Sequence, residues 1–110
     1  MKQYVITDLS PEETEAISEY LKEKVGSSGL MDFFWVPVDP SFYTEIQKKH
    51  MDCMPLCFPV ELDVDQLTCE FFLRVRKKIS CDCMRYATRD QREWMITFLD
   101  EMLEELNIHP

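Results

Sequence analysis

Phe58-Pro59-Val60-Glu61-Leu62-Asp63-Val64-Asp65-Gln66-Leu67-Thr68-Cys69-Glu70-Phe71-Phe72-Leu73-Arg74-Val75 is the stretch on which the fold turns. Phe58, Val60, Leu62 and Val64 alternate with proline or acidic residues, and Leu67, Cys69, Phe71, Leu73 and Val75 alternate likewise. A period of two sends successive side chains to opposite faces, so the pattern predicts two antiparallel strands with one buried face. Pairing Val64 with Leu67 sets Leu62 against Cys69, Val60 against Phe71 and Phe58 against Leu73, each inward side chain meeting an inward partner. That register also puts Glu61 opposite Glu70. Asp65-Gln66 makes a poor type I′ turn, so a slightly longer loop in the same register is expected. Residues 79 to 86 are read as a further strand.

Helices flank this hairpin on both sides. Ser10-Pro11-Glu12-Glu13 is a capping box with proline at the first helical position, and Ala16, Ile17, Tyr20, Leu21 and Val25 follow at helical spacing until Gly26 stops the run. The helix covers residues 11 to 25. Thr88-Arg89-Asp90-Gln91 is a second capping box, opening a helix over 89 to 106. Its apolar stripe is Trp94, Met95, Phe98, Leu99, Met102, Leu103 and Leu106, with an acidic opposite face. Residues 2 to 7 and Leu30 to Val38 read as strands, and strand, helix and strand suggest a right-handed crossover within one sheet. Asp39-Pro40 starts a short helix near 40 to 52, with Phe42, Tyr43, Ile46 and His50 on one face. Together these elements predict an α+β fold, a two-layer sandwich. It has a mixed or antiparallel sheet of four to five strands, two main helices and one short one, in a single domain over 1 to 110.

Charge and composition narrow the function classes. The 110 residues carry 21 acidic and 12 basic side chains, a formal charge of -9, which opposes phosphate backbones and anionic lipids over most of the surface. Seven of the 12 basic residues nevertheless lie between Arg74 and Arg92, so that stretch is locally positive. The first residues have no long apolar region, and Asp32 and Pro37 interrupt the most apolar stretch, so neither export nor membrane insertion is expected. Two glycines, Gly26 and Gly29, are too few for a phosphate-cradling loop.

The chemistry-bearing residues are the five cysteines. Without an export signal they belong to a reducing, cytoplasmic setting, where thiols and thiolate ligands are expected rather than disulfides. His50, Cys53 and Cys57 form one candidate half-site and Cys81-Asp82-Cys83 another. Four thiolates, with His50 as a spare ligand, suit zinc, and soft ligands near Met51, Met54 and Met84 also suit Cu(I). On an extended strand the Cys81 and Cys83 Cα atoms would stand about 7 Å apart on one face, so chelation needs the chain to bend there. Cys69 faces the core and is left out. The competing reading is that these cysteines are adaptable apolar residues of the interior. A catalytic dyad of Cys53 with His50 ranks well below both.

A two-layer fold leaves one sheet face without helices, and Phe33 or Phe34, Trp35 and Phe72, beside Arg74 and Arg76, are the residues expected there. The sequence therefore reads first as a non-catalytic interaction module, binding a protein partner or forming a homodimer. A zinc- or Cu(I)-binding protein using Cys53, Cys57, Cys81, Cys83 and His50 is the alternative.

Overall fold

The structure is a computed structural model describing residues 2 to 109; Met1 and Pro110, the ends of the expected domain, lie outside the described residues. Five strands form one sheet: β1 (Gln3–Ile6), β2 (Phe33–Pro37), β3 (Leu56–Leu62), β4 (Leu67–Glu70) and β5 (Arg74–Val75). The order is β1-β4-β3-β2, with β5 also on β3, and every strand pairing among the described residues is antiparallel. Two main helices, α1 (Pro11–Val25) and α3 (Arg89–Glu105), and a one-turn helix α2 (Glu45–Lys48) complete the α+β fold.

Both main helices begin at the capping boxes read from the sequence. The Ser10 hydroxyl accepts from the Glu13 amide while the Glu13 carboxylate accepts from the Ser10 amide, and Thr88 and Gln91 repeat the exchange. α3 ends at Leu106. Asn107 takes a left-handed conformation (φ 56°), the Asn107 amide donates to Glu104 and the Ile108 amide to Leu103. This Schellman arrangement folds buried Ile108 back over the last turn.

Alternation then builds the core. Phe34 and Val36 of β2, Leu56, Phe58, Val60 and Leu62 of β3, and Leu67 and Cys69 of β4 turn to one face, where Ile17 and Leu21 of α1 and Met95, Leu99 and Met102 of α3 meet them. Full burial of each such side chain contributes roughly 1.5–3 kcal/mol, more than propensity could supply to helices of this length. Trp94 stacks between Phe58 and Phe98, with centroids at 6.3 and 5.8 Å.

Four sequence expectations are corrected. First, the hairpin register is displaced by two at its turn end, while Cys57–Arg74 and Leu56–Val75 keep the expected one: Leu62 pairs with Leu67 and Val60 with Cys69, and residues 63 to 66 turn around an Asp63 amide to Gln66 carbonyl bond of 2.8 Å. Val64 is 77% exposed at that turn, and Glu61 faces Thr68 instead of Glu70, which removes the like-charge pair. Further along, Cys57 pairs with Arg74 and Leu56 with Val75, so β4 to β5 holds two more residues than the matching part of β3. The surplus bows out at Phe71–Leu73, where the backbone bonds to Lys2, Arg85 and Ala87. Second, β1 and β2 occupy opposite edges of the sheet and run antiparallel to each other, so α1 makes no parallel crossover. Third, the short helix near 40 to 52 is three single turns, Pro40–Phe42, Glu45–Lys48 and Met51–Cys53. Asp39-Pro40 opens the first turn as expected, Asp39 accepting from the Ser41 amide, and a capping box of Thr44 with Gln47 opens the second, its cap five residues on. Fourth, residues 79 to 86 form a turn-rich loop in place of a strand, touching the sheet through one bridge between Phe72 and Tyr86.

Candidate metal centre

The pairing of β3 with β5 decides where the cysteines meet. Leu56 opens β3 opposite Val75, which closes β5, so the chain entering one strand and the chain leaving the other run side by side at one end of the sheet. The first carries His50 and Cys53, the second Cys81 and Cys83. His50 and Cys53 share a 3₁₀ turn closed by the Cys53 amide donating to the His50 carbonyl at 2.9 Å. Side chains three residues apart eclipse in such a turn and point the same way. Across from them the Met84 amide donates to the Cys81 carbonyl at 3.0 Å, closing the bend that an extended Cys-x-Cys lacks.

The Cys81 sulfur lies 3.9 Å from the Cys53 sulfur and 3.4 Å from His50 Nδ1, and the three ligand atoms all fall within 4.8 Å of one another. Tetrahedral zinc, with Zn–S of about 2.3 Å and Zn–N of about 2.0–2.1 Å, sets S–S edges of about 3.8 Å and S–N edges of about 3.6 Å. The two edges at Cys81 match the separations such an ion imposes, and the third, between His50 and Cys53, is within 4.8 Å; Cys83 lies beside this group of three. Cys53 and Cys83 are buried, and His50 and Cys81 are half-buried.

Cys83 completes the group electrostatically. Its backbone N–H, followed by its thiol, holds Cys81 below the ordinary thiol range, with Cys53 and the Lys78 ammonium helping. Cys83 itself is pushed up to about 12, by burial first and then by the Cys81 and Cys53 sulfurs. Lys78 is raised, mainly through contact with Cys53 and also by Asp52 and Cys81. Crowded sulfurs with a cation at their edge are a donor set that a divalent ion would satisfy.

No family model, curated protein or solved structure matches the chain. The geometry therefore carries the functional argument unaided.

The other sequence candidates are placed as follows. Cys57 sits within β3, where alternation turns it away from Leu56 and Phe58, and its sulfur contacts the Pro55 carbonyl at 3.8 Å outside the cluster. Cys69 is fully buried on β4, opposite Tyr4 and Val60. Phe34 is 2% exposed and belongs to the core, a correction to its place among the surface candidates. Phe33, Trp35, Phe72 and Arg74 are half-buried and Arg76 exposed.

Sequence reasoning passed over Gln47 and saw Gln91 only as a cap. Both are buried. Gln47 Nε2 donates to the Cys83 carbonyl at 3.2 Å, Gln91 Nε2 donates to Gln47 Oε1 and to the Phe42 carbonyl at 2.9 Å, and each Oε1 also accepts its own N-cap amide at 2.9 Å. The start of α3, the start of α2 and the Cys81–Cys83 bend are thus fastened by two amides. No buried side-chain nitrogen or oxygen among the described residues lacks a partner. Glutamine three residues after threonine, ahead of a cysteine-bearing turn, was the available signal.

Burial pushes Cys57 up to about 11 against a lowering by Arg76, and burial together with Glu70 pushes Cys69 up to about 12. An unfolded thiol ionises near 9 while these folded thiols keep their protons, so their stabilising contribution is intact below pH 9 and is lost as pH rises toward 11–12. Each group adds about 1.4 kcal/mol of lost stability per pH unit inside its window. Urea titrations from pH 8 to 11 are expected to show falling stability that is shallower in Cys69→Ala; equal slopes would contradict the assignment.

Proposed function

We propose that this chain is a small non-catalytic domain that binds zinc through the thiolates of Cys53, Cys81 and Cys83 and through His50 Nδ1. The observation that carries the reading is the agreement of the Cys81–Cys53 and Cys81–His50 separations, 3.9 and 3.4 Å, with the edges of a tetrahedral site. Three sulfurs and one imidazole form a closed donor set, the kind used for structure, whereas a catalytic zinc keeps a position open. Such an ion joins the 50–53 turn to the 81–83 bend, two segments that share no strand pairing. Soft ligation also admits Cu(I), and metal analysis separates the two. The domain works by contact, in the cytoplasm, where a reducing environment keeps the thiols available. No helix among the described residues is long and apolar enough to cross a membrane.

Elemental analysis of protein purified under reducing conditions without chelator is expected to give one zinc per chain. Cys53→Ser and Cys81→Ser each lose it, while Cys57→Ser keeps it. Protein without metal, or metal retained in both ligand variants, refutes the proposal.

A further inference from the structure

We infer that the helix-free face of the sheet, along Trp35, Phe72, Arg74 and Arg76, docks an acidic polypeptide segment. Its carboxylates are received by guanidinium groups held against the protein's own aromatic rings. This stands on observations separate from the metal centre.

The molecule is strongly acidic overall, and Glu61 and Glu70 lie on this face, yet Arg74 and Arg76 stand together on it with Lys2 beside them. The Arg74 guanidinium lies 4.9 Å from the Phe72 ring centroid and that of Arg76 lies 5.9 Å from Trp35. The Lys2 ammonium stands 5.8 Å from Tyr86, the residue bridged to Phe72. A guanidinium backed by a ring keeps its N–H edge free and loses less side-chain freedom when it binds, and its planar fork matches a carboxylate bidentately. Arg76 makes no salt bridge among the described residues, its one hydrogen bond there being to the Ser28 carbonyl at 3.5 Å. Arg74 is held only loosely by Glu70 at 3.7 Å, with both side chains about a third exposed.

Charge complementarity thus selects an anion, and the packing selects its kind. Single-stranded nucleic acid on such a face needs bare rings on which bases stack, with a cationic track for a phosphate at every nucleotide. Here guanidinium groups already cover Trp35 and Phe72, and a charge of -9 repels a continuous polyanion. A polypeptide with a few carboxylates meets the two forks without that repulsion.

The test uses the full chain and a fluorescein-labelled peptide with two glutamates spaced by glycine and serine, followed by fluorescence anisotropy at low and at physiological salt. Saturable binding that weakens with salt is expected. Arg74→Gln with Arg76→Gln should weaken it at least about tenfold, as expected for two charge-assisted contacts. Lys22→Gln with Lys24→Gln on α1 removes the same charge elsewhere and should leave it unchanged. Arg74→Lys with Arg76→Lys keeps the charge and should recover only part of the affinity. Absence of saturable binding, equal loss in the two glutamine variants, full recovery with lysine, tighter binding of hexathymidylate, or a face shown by light scattering and cross-linking to be covered by a second copy would each overturn the inference.

Discussion

If zinc occupies the proposed site, chelation is expected to lower the thermal midpoint by at least about 10 °C. A ligand that binds only the folded state stabilises it by about 4 kcal/mol at a thousandfold excess over Kd, and a domain of this size shifts by roughly 4 °C per kcal/mol. In the proposed site the ion would stand between the 50–53 turn and the 81–83 bend, whose cysteines otherwise only touch. Cys81→Ser with Cys83→Ser should abolish the response to chelator. Cys69→Ser should lower the midpoint equally with and without chelator, because its cost is a hydroxyl placed in an apolar, fully buried site on β4. Differential scanning calorimetry of the three proteins, with and without chelator, checks both statements. A midpoint unmoved by removal of a stoichiometric zinc would show that the ion does not hold the fold.

Gln91→Leu is the second large effect, a loss of about 3 kcal/mol measured by urea unfolding. The leucine fills the volume but takes one donor from the buried Gln47 Oε1 and unpairs the part-buried Thr88 amide and Phe42 carbonyl. A buried polar group without its partner costs about 1–3 kcal/mol. Gln47→Leu should cost a similar amount and also weaken zinc binding by roughly tenfold, the lower end for supports behind metal ligands, since it frees the Cys83 carbonyl. The double variant should lose less than the sum, because both residues share one network. Additive losses would mean that the two amides act independently.

The helices were legible because two signals coincided at each: Ser10 with Glu13 and Thr88 with Gln91 fixed the starts, and apolar residues at helical spacing fixed the faces. The hairpin was legible in its faces, and in its register at β5 but not at the turn end. A displacement of two residues keeps every side chain on its side of the sheet, so alternation cannot distinguish Leu62 opposite Cys69 from Leu62 opposite Leu67. Only the backbone bonds of Phe71–Leu73 to Lys2, Arg85 and Ala87 separate them, and those depend on segments distant in sequence.

The candidate centre shows the same division. His50 and Cys53 three residues apart, and Cys81 and Cys83 two apart, are visible as ligand pairs, and β3 with β5 brings the pairs together. Cys57 looked equivalent because spacing alone does not reveal that β3 begins at Leu56 and turns the next side chain away. The bend at Cys81–Cys83 was hidden for a related reason. Alternation of Cys81 with Cys83 imitates a strand, while the Met84 amide and the Gln47 side chain hold the backbone in a turn.

The order of strands in the sheet also sets a timetable for synthesis. β3 and β4 are joined by four residues and can pair as soon as both have emerged, whereas Gln3 must await Glu70, made 67 positions later. At roughly 5–20 residues per second that wait is roughly 3–13 s on the ribosome, long compared with the microseconds in which a hairpin closes. Throughout it, Tyr4 and Ile6 have no partner strand. β1 is only four residues long, with Asp8 in a left-handed turn just beyond it, so the waiting segment is a short template for pairing with another nascent chain.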